Sequence, residues 1–173
     1  MQARHHDGGQ RIINQTCVQE EGWVLFSFDV SVAFAKGMTF EEYAKLTGEP
    51  LRVVQFELTR EDAVTLQKIP GFETFDPDTE VLLMVKAVYG LKDAPRAWHT
   101  KLHMILTQFE MNSLYADPQL YVKHLNNKLK MILSAHVDDL KGGAPREEAM
   151  RLLKHLEAHV VNCTQQWGIL HTW

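Results

Sequence analysis

Asp29 ends the run WVLFSFDV, and Asp138 and Asp139 stand side by side in SAHVDDLKGG, where a second apolar run stops. If those two run-ends are neighbours in the fold, three carboxylates converge on one point. Close like charges raise each other's pKa or drive their strands apart, and a divalent cation relieves the repulsion. Mg²⁺ prefers oxygen ligands, commonly one or two carboxylates plus substrate phosphates. Two such ions about 4 Å apart clamp the attacking and leaving oxygens of a phosphoryl transfer. The bland alternative is a polar turn, since Asp and Gly are turn formers, and from spacing alone an Asp-Asp pair is more often that.

Other chemistry-bearing residues have weaker claims. His99/His103 and His155/His159 are i, i+4 pairs, a spacing that can bind Zn²⁺. No third ligand accompanies them, so solvated helix faces are expected. Trp98 could stack on a base, but its place in an apolar stripe favours core packing. Lys86, Lys92, Arg96 and Lys101 could touch phosphates, although acidic neighbours make most of them ordinary surface charges. Tyr115 and Tyr121 read as packing residues of a hairpin.

The elements that must position the aspartates are partly legible. Trp23 to Val30 alternates as a strand, with Val24, Phe26, Phe28 and Val30 on one face and Ser27 and Asp29 on the other. Leu120 to His124 and Leu129 to Val137 form a hairpin through Asn126-Asn127. In its second strand Met131, Leu133, Ala135 and Val137 oppose Ile132, Ser134, His136 and Asp138. Arg11 to Glu21 reads as a short helix stopped by Gly22, with Ile12, Ile13, Thr16 and Cys17 on one side. Thr39 to Leu46 is a helix with a Thr39/Glu42 capping box, and Thr59 to Lys68 a helix capped by Thr59. Val81 to Val88 is a largely apolar strand. Asp93-Ala-Pro95 opens a helix whose stripe is Trp98, Leu102, Ile105, Leu106 and Phe109. Pro145 to Val160 is the last helix, with Leu152, Leu153, Leu156 and Val160 inward. The tail from Asn162 shows no pattern. The order α-β-α-α-β-α-β-β-α fits an α/β (α+β) fold, a mainly antiparallel sheet with helices packed on one face.

The totals bound the class. The 173 residues suit one domain with a real core, and 45% hydrophobic with 23% charged is ordinary for a soluble globular chain. No apolar run approaches the ~20 residues of a membrane span. The N-terminus has no apolar h-region, so no signal peptide and no secretion are expected. Cys17 and Cys163 have no metal or redox spacing and are expected as free thiols. The net charge of −4 argues mildly against a stand-alone nucleic-acid binder.

Read together, the flanking residues resemble the reverse transcriptase domain of copia-type LTR retrotransposons. FDVSVAFAKG (28–37) is similar to the family's LDVxxAFLxG, and PGF (70–72) to its PEGF. VYGLKDAPRAW (88–98) resembles LYGLKQAPRxW, ADPQLYVK (116–123) resembles the DPCLY segment, and HVDD (136–139) stands where the family has YVDD. Five segments in the family's order, from about Trp23 to Val160, carry the resemblance.

The resemblance implies a single partial reverse transcriptase domain over 1–173. Its core would be a right-hand polymerase palm with partial fingers at about 23–160, followed by an uncertain tail at 161–173. It implies Asp29 and Asp138 as principal metal ligands, Asp139 as second of the pair, and the Val30 carbonyl as a further ligand, for two Mg²⁺ ions or Mn²⁺. Phe34 would be the steric gate against a ribose 2′-OH. Tyr89, Gly90 and Lys92 would line the nucleotide pocket, and His136 and Arg96 would approach primer or template. The implied partners are an RNA or DNA template-primer, dNTPs and the RNase H and integrase of a larger polyprotein, without a membrane. The implied place is a cytoplasmic virus-like particle or the nucleus. Two positions depart from the family pattern: His136 replaces Tyr, and Asp93 replaces Gln. Asp93 also suits a helix N-cap. Nothing here resembles the family's basic fingers segment, so the expectation is a piece of a polyprotein. Two alternatives stay open. One is a folded, catalytically inactive remnant. The other is a different metal-dependent nucleotidyl transferase, against which VYGLKDAPRAW and ADPQLYVK speak.

Overall fold

A computed structural model describes residues 3–160 and 163–168. In chain order the elements are α1 (Ala3–Gln19), β1 (Trp23–Val30), a 3-10 turn (Ala33–Lys36), α2 (Phe40–Thr47), β2 (Gln55–Phe56), α3 (Arg60–Leu66) and β3 (Leu82–Leu83). Then follow α4 (Ala94–Gln108), β4 (Asn112–Ser113), β5 (Leu120–Leu125), β6 (Lys128–His136), β7 (Asp139–Pro145), α5 (Arg146–His159) and β8 (Cys163–Gly168). Six strands form one antiparallel sheet in the order β4-β5-β6-β7-β1-β8, and β2 pairs with β3 apart from it.

Strand alternation splits the core in two. On one face Phe26, Phe28 and Val30 of β1, Met131, Leu133 and Ala135 of β6 and Leu140 and Ala144 of β7 pack against α4 and α5. Those helices contribute Trp98, Leu102, Ile105, Leu106, Leu152, Leu153 and Leu156, all buried. Each such side chain stabilises by about 1.5–3 kcal/mol relative to exposure. On the other face Ile13 and Cys17 of α1 cover Trp23, Leu120 and Ile132. The helices therefore lie on both faces, where the element order suggested one. The amphipathic stripe of α1 is short, and nothing in its sequence says which side of the sheet it takes.

Several local expectations hold. Thr39 Oγ1 accepts from Glu42 N–H at 3.0 Å, and the Glu42 carboxylate accepts from Thr39 N–H at 2.9 Å. The second of these bonds holds the Glu42 carboxyl below its ordinary pKa. Asn126 and Asn127 both have positive φ (52° and 58°), which a two-residue hairpin loop requires. Others need correction. Helix α1 begins well before Arg11, and Ile12 is half exposed. Val81 to Val88 pairs as a strand only at Leu82–Leu83, leaving Val81, Leu83 and Val85 exposed, because its partner β2 is two residues long. Asp93 makes no side-chain cap bond and instead pairs with Arg52. The Gly-rich β7 and the tail strand β8 were not legible as strands. Of the tail, 161–162 and 169–173 lie outside the described residues, while β8 pairs along β1 from Leu25 to Val30.

Candidate metal and nucleotide site

Strand register builds the site. Asp29 of β1 faces Asp139 of β7, which in turn faces His136 of β6, and Thr164 of β8 lies on the far side of Asp29. One row back, Ser134, Lys141, Ser27 and Gln166 line up in the same way. The next row, Ile132, Gly143 and Leu25, is apolar and lies under α1. One face of the sheet is thus apolar where α1 covers it and polar where the helix ends. At the polar end Ser27, Asp29, Asp139, Lys141, Thr164 and Gln166 enclose a cleft of ≈ 480 Å³.

Val30 N–H donates to the Asp138 carbonyl at 2.9 Å. This makes Asp29/Asp139 the neighbouring non-hydrogen-bonded pair, whose Cβ atoms approach most closely, and like charges so opposed are destabilising. The chain offsets part of that cost itself. Lys141 Nζ lies 2.5 Å from Asp139 Oδ2, and Ser27 Oγ donates to Asp139 Oδ1 at 3.2 Å. Asp138 occupies the turn, opposite Val30 in the continued register, on the parity of the buried face. Among the described residues no group of three or more His, Cys, Asp or Glu side chains is placed to hold a metal. The structure therefore brings together Asp29 and Asp139, with Asp138 adjacent in sequence but outside a three-carboxylate cluster. Val30 is fully buried.

The turn between β6 and β7 is only Val137-Asp138, and Val137 takes a φ of 52°. A β-branched residue there is strained. What holds the turn is Trp98: its indole Nε1 donates to the Val137 carbonyl at 2.5 Å from a side chain only 1% exposed. Core packing is thus the role of Trp98, joined to a hydrogen-bonding one that sequence reasoning missed. The apolar stripe of α4 identified the residue but not its partner.

Phe34 and Tyr89 meet, with ring centroids 4.6 Å apart. Gly90 has a φ of 96° in the turn that leads to an exposed Lys92. Arg96 is tied to Glu49 at 2.9 Å and lies 5.4 Å from the Tyr43 ring centroid, on a separate cleft of ≈ 400 Å³ bounded by Arg52 and Asp93. It is not brought to the carboxylates. Of the four helix histidines, His99 and His159 are exposed as expected, while His103 and His155 are partly buried and bonded. His103 Nδ1 bonds the Tyr121 hydroxyl at 3.1 Å, and His155 Nε2 bonds the Ile105 carbonyl at 2.9 Å. Tyr121 is buried, its hydroxyl pushed by burial up to a pKa of about 12, whereas Tyr115 is fully exposed and packs nothing. Cys17 is a free thiol whose burial raises its pKa to about 11.

Comparison with known proteins identifies the family of the chain. Residues 53–159 match the family described as "Reverse transcriptase (RNA-dependent DNA polymerase)". The chain is 31% identical over 80 residues to the Retrovirus-related Pol polyprotein from transposon TNT 1-94 of Nicotiana tabacum, covering 46% of this chain and 6% of that protein. It is 28% identical over 121 residues to the corresponding polyproteins from transposons RE2 and RE1 of Arabidopsis thaliana, covering 70% of this chain and 7% of each. The chain thus spans less than a tenth of those relatives' length. No solved structure gives a significant match. The family match takes in HVDD and begins after Asp29, so Asp29 rests on its register opposite Asp139.

Proposed function

Because the chain belongs to the reverse transcriptase (RNA-dependent DNA polymerase) family, we propose that it is part of the catalytic core of a copia-type RNA-directed DNA polymerase, with the cleft at Asp29 and Asp139 as its reaction centre. The observation that carries this reading is the closest-approach pairing of those two carboxylates on an open polar sheet end. Two opposed carboxylates with a hydroxyl beside them are a hard-oxygen donor set. They fit one Mg²⁺ or Mn²⁺ that takes its remaining ligands from water and phosphate. Asp138 is the residue that a second ion would call on. When bound, the metal supplies neutralisation of phosphate charge as a primer 3′-OH attacks the α-phosphate of a dNTP and pyrophosphate leaves.

The protein's own contribution is positional. Antiparallel register fixes Asp29 against Asp139, and the Trp98 hydrogen bond fixes the turn carrying Asp138. Phe34, braced by Tyr89, is the wall that excludes a 2′-OH, and Gly90 and Lys92 approach the triphosphate. His136, flanking Asp139 in the same row, is the primer-side residue. RNA or DNA template-primer and dNTPs are the partners, and RNase H and integrase belong to the remainder of the polyprotein. The test is primer extension on an RNA template with purified chain, Mg²⁺ and dNTPs, beside Asp29→Asn and Asp139→Asn. Extension by the parent chain that falls at least 100-fold in both variants supports the reading, and extension that survives both refutes it. A second reading, a folded remnant that does not polymerise, is favoured by the Lys141 ammonium seated on Asp139. It predicts no extension by a chain of verified fold.

A further inference from the structure

Lys141 of β7 stands one row behind the two opposed carboxylates, between Ser27 of β1 and Ser134 of β6. Its ammonium is 2.5 Å from Asp139 Oδ2, while Ser27 Oγ takes Oδ1, so both oxygens of Asp139 already have donors from the chain itself. Both partners are only partly exposed, at 40% for Lys141 and 33% for Asp139, so water screens the pair less than it would a surface bridge. The cleft wall therefore contains its own cation.

We propose that Lys141 is a built-in counter-ion that competes with divalent metal for Asp139 and weakens its binding. The proposal rests on the metal reading above and adds to it a residue that sets metal affinity. The physics is direct. With Lys141 in place, the charge of the Asp29/Asp139 pair is −1 rather than −2. A divalent ion on Asp139 must displace the ammonium or share the carboxylate with it. A unit positive charge a few ångströms from a divalent ion weakens its binding by about tenfold even where water screens both. The same ammonium relieves the carboxylate repulsion when no metal is present, which lets β1 and β7 keep their register in the apo chain.

The test uses Mn²⁺ alone as the probe, its free form followed by electron paramagnetic resonance during titration into the purified chain. The variants are Lys141→Met, Lys141→Arg, Asp29→Asn and Asp139→Asn. The expected result is weak binding by the parent and about tenfold tighter binding by Lys141→Met. Parent-like binding is expected for Lys141→Arg, which keeps the charge, and loss of binding for both Asn variants. If Lys141→Met binds like the parent while Asp29→Asn loses the ion, the counter-ion proposal is overturned and the metal reading stands. If Lys141→Arg tightens as much as Lys141→Met, charge is not the cause and the proposal also fails. If neither the parent nor Lys141→Met binds Mn²⁺, both readings are overturned together.

Discussion

Gly143→Ala tests whether the register that aligns Asp29 with Asp139 depends on an uncrowded contact between β7 and α1. Neither Gly142 nor Gly143 has positive φ, so the backbone admits alanine and only space forbids it. A Cβ on Gly143 would overlap Cys17 Sγ and come within 3.5 Å of Trp23 Cε3. Cys17 is 2% exposed, so its sulfur must swing into packed neighbours or α1 must lift from the sheet. Overpacking of that kind costs about 2–3 kcal/mol, which lowers Tm by roughly 4–12 °C in a chain of this size. Cys17→Ala alone deletes one buried sulfur and costs about 1 kcal/mol, but it vacates the volume that the new methyl needs. The double variant should therefore match Cys17→Ala, a coupling of about 2 kcal/mol. The assay is urea unfolding followed by circular dichroism on all four proteins. Strictly additive losses would refute the steric argument. Gly142→Ala is the internal contrast. Its Cβ would lie 2.5 Å from Phe26 Cζ and 2.7 Å from the Ile132 carbonyl oxygen, so Cys17→Ala should not rescue it.

Two further outcomes follow from groups outside the cleft. Trp98→Phe keeps most of the buried ring but leaves the Val137 carbonyl without its donor. It should cost about 1–2 kcal/mol and accelerate amide exchange at Leu140, measured by hydrogen–deuterium exchange, whereas unchanged exchange would mean that the bond does not hold the turn. The Glu148 carboxyl is pushed up by burial, but the Lys123 and Arg151 cations override this and hold it below its ordinary value. A depressed carboxylate contributes stability above its unfolded pKa and loses it as pH falls through the folded one. Parent stability should therefore drop below about pH 4.5 more steeply than that of Glu148→Gln, in denaturant titrations at pH 3, 4, 5 and 7.

The legible parts of the fold were those with local causes. The Thr39/Glu42 box, the Asn126-Asn127 turn, the α4 stripe and the Trp23–Val30 alternation each act within a few residues. The parts that escaped have distant causes. Strand β7 carries two glycines because Phe26 and Cys17 leave no room for side chains, a reason visible only after β1 and α1 are in place. Strand β8 is the polar edge strand of the sheet, and its Trp167 packs on the core face against Phe26 and Phe28, a partnership visible only once β1 is in place. The opposite error came at Val81–Val88, where apolar residues without a long partner strand stay exposed. At the site, the aspartates were readable as types. Their grouping was not, since the two-residue turn puts Asp139, rather than Asp138, on the face of Ser134 and His136. Lys141 was missed because the stretch after the turn did not read as a strand.

Strand β1 finds its neighbours late. Its partners β7 and β8 lie more than 100 residues further along the chain. While the chain is being made, WVLFSFDV emerges with both backbone edges unpaired and three of its bulkiest apolar groups unburied. Such a segment is a template for pairing with another copy of itself. Long-range closure of this kind is slow, so the interval is substantial on the timescale of synthesis. Production at low temperature or with a chaperone that shields extended apolar segments should raise soluble yield more than any change to the mature surface.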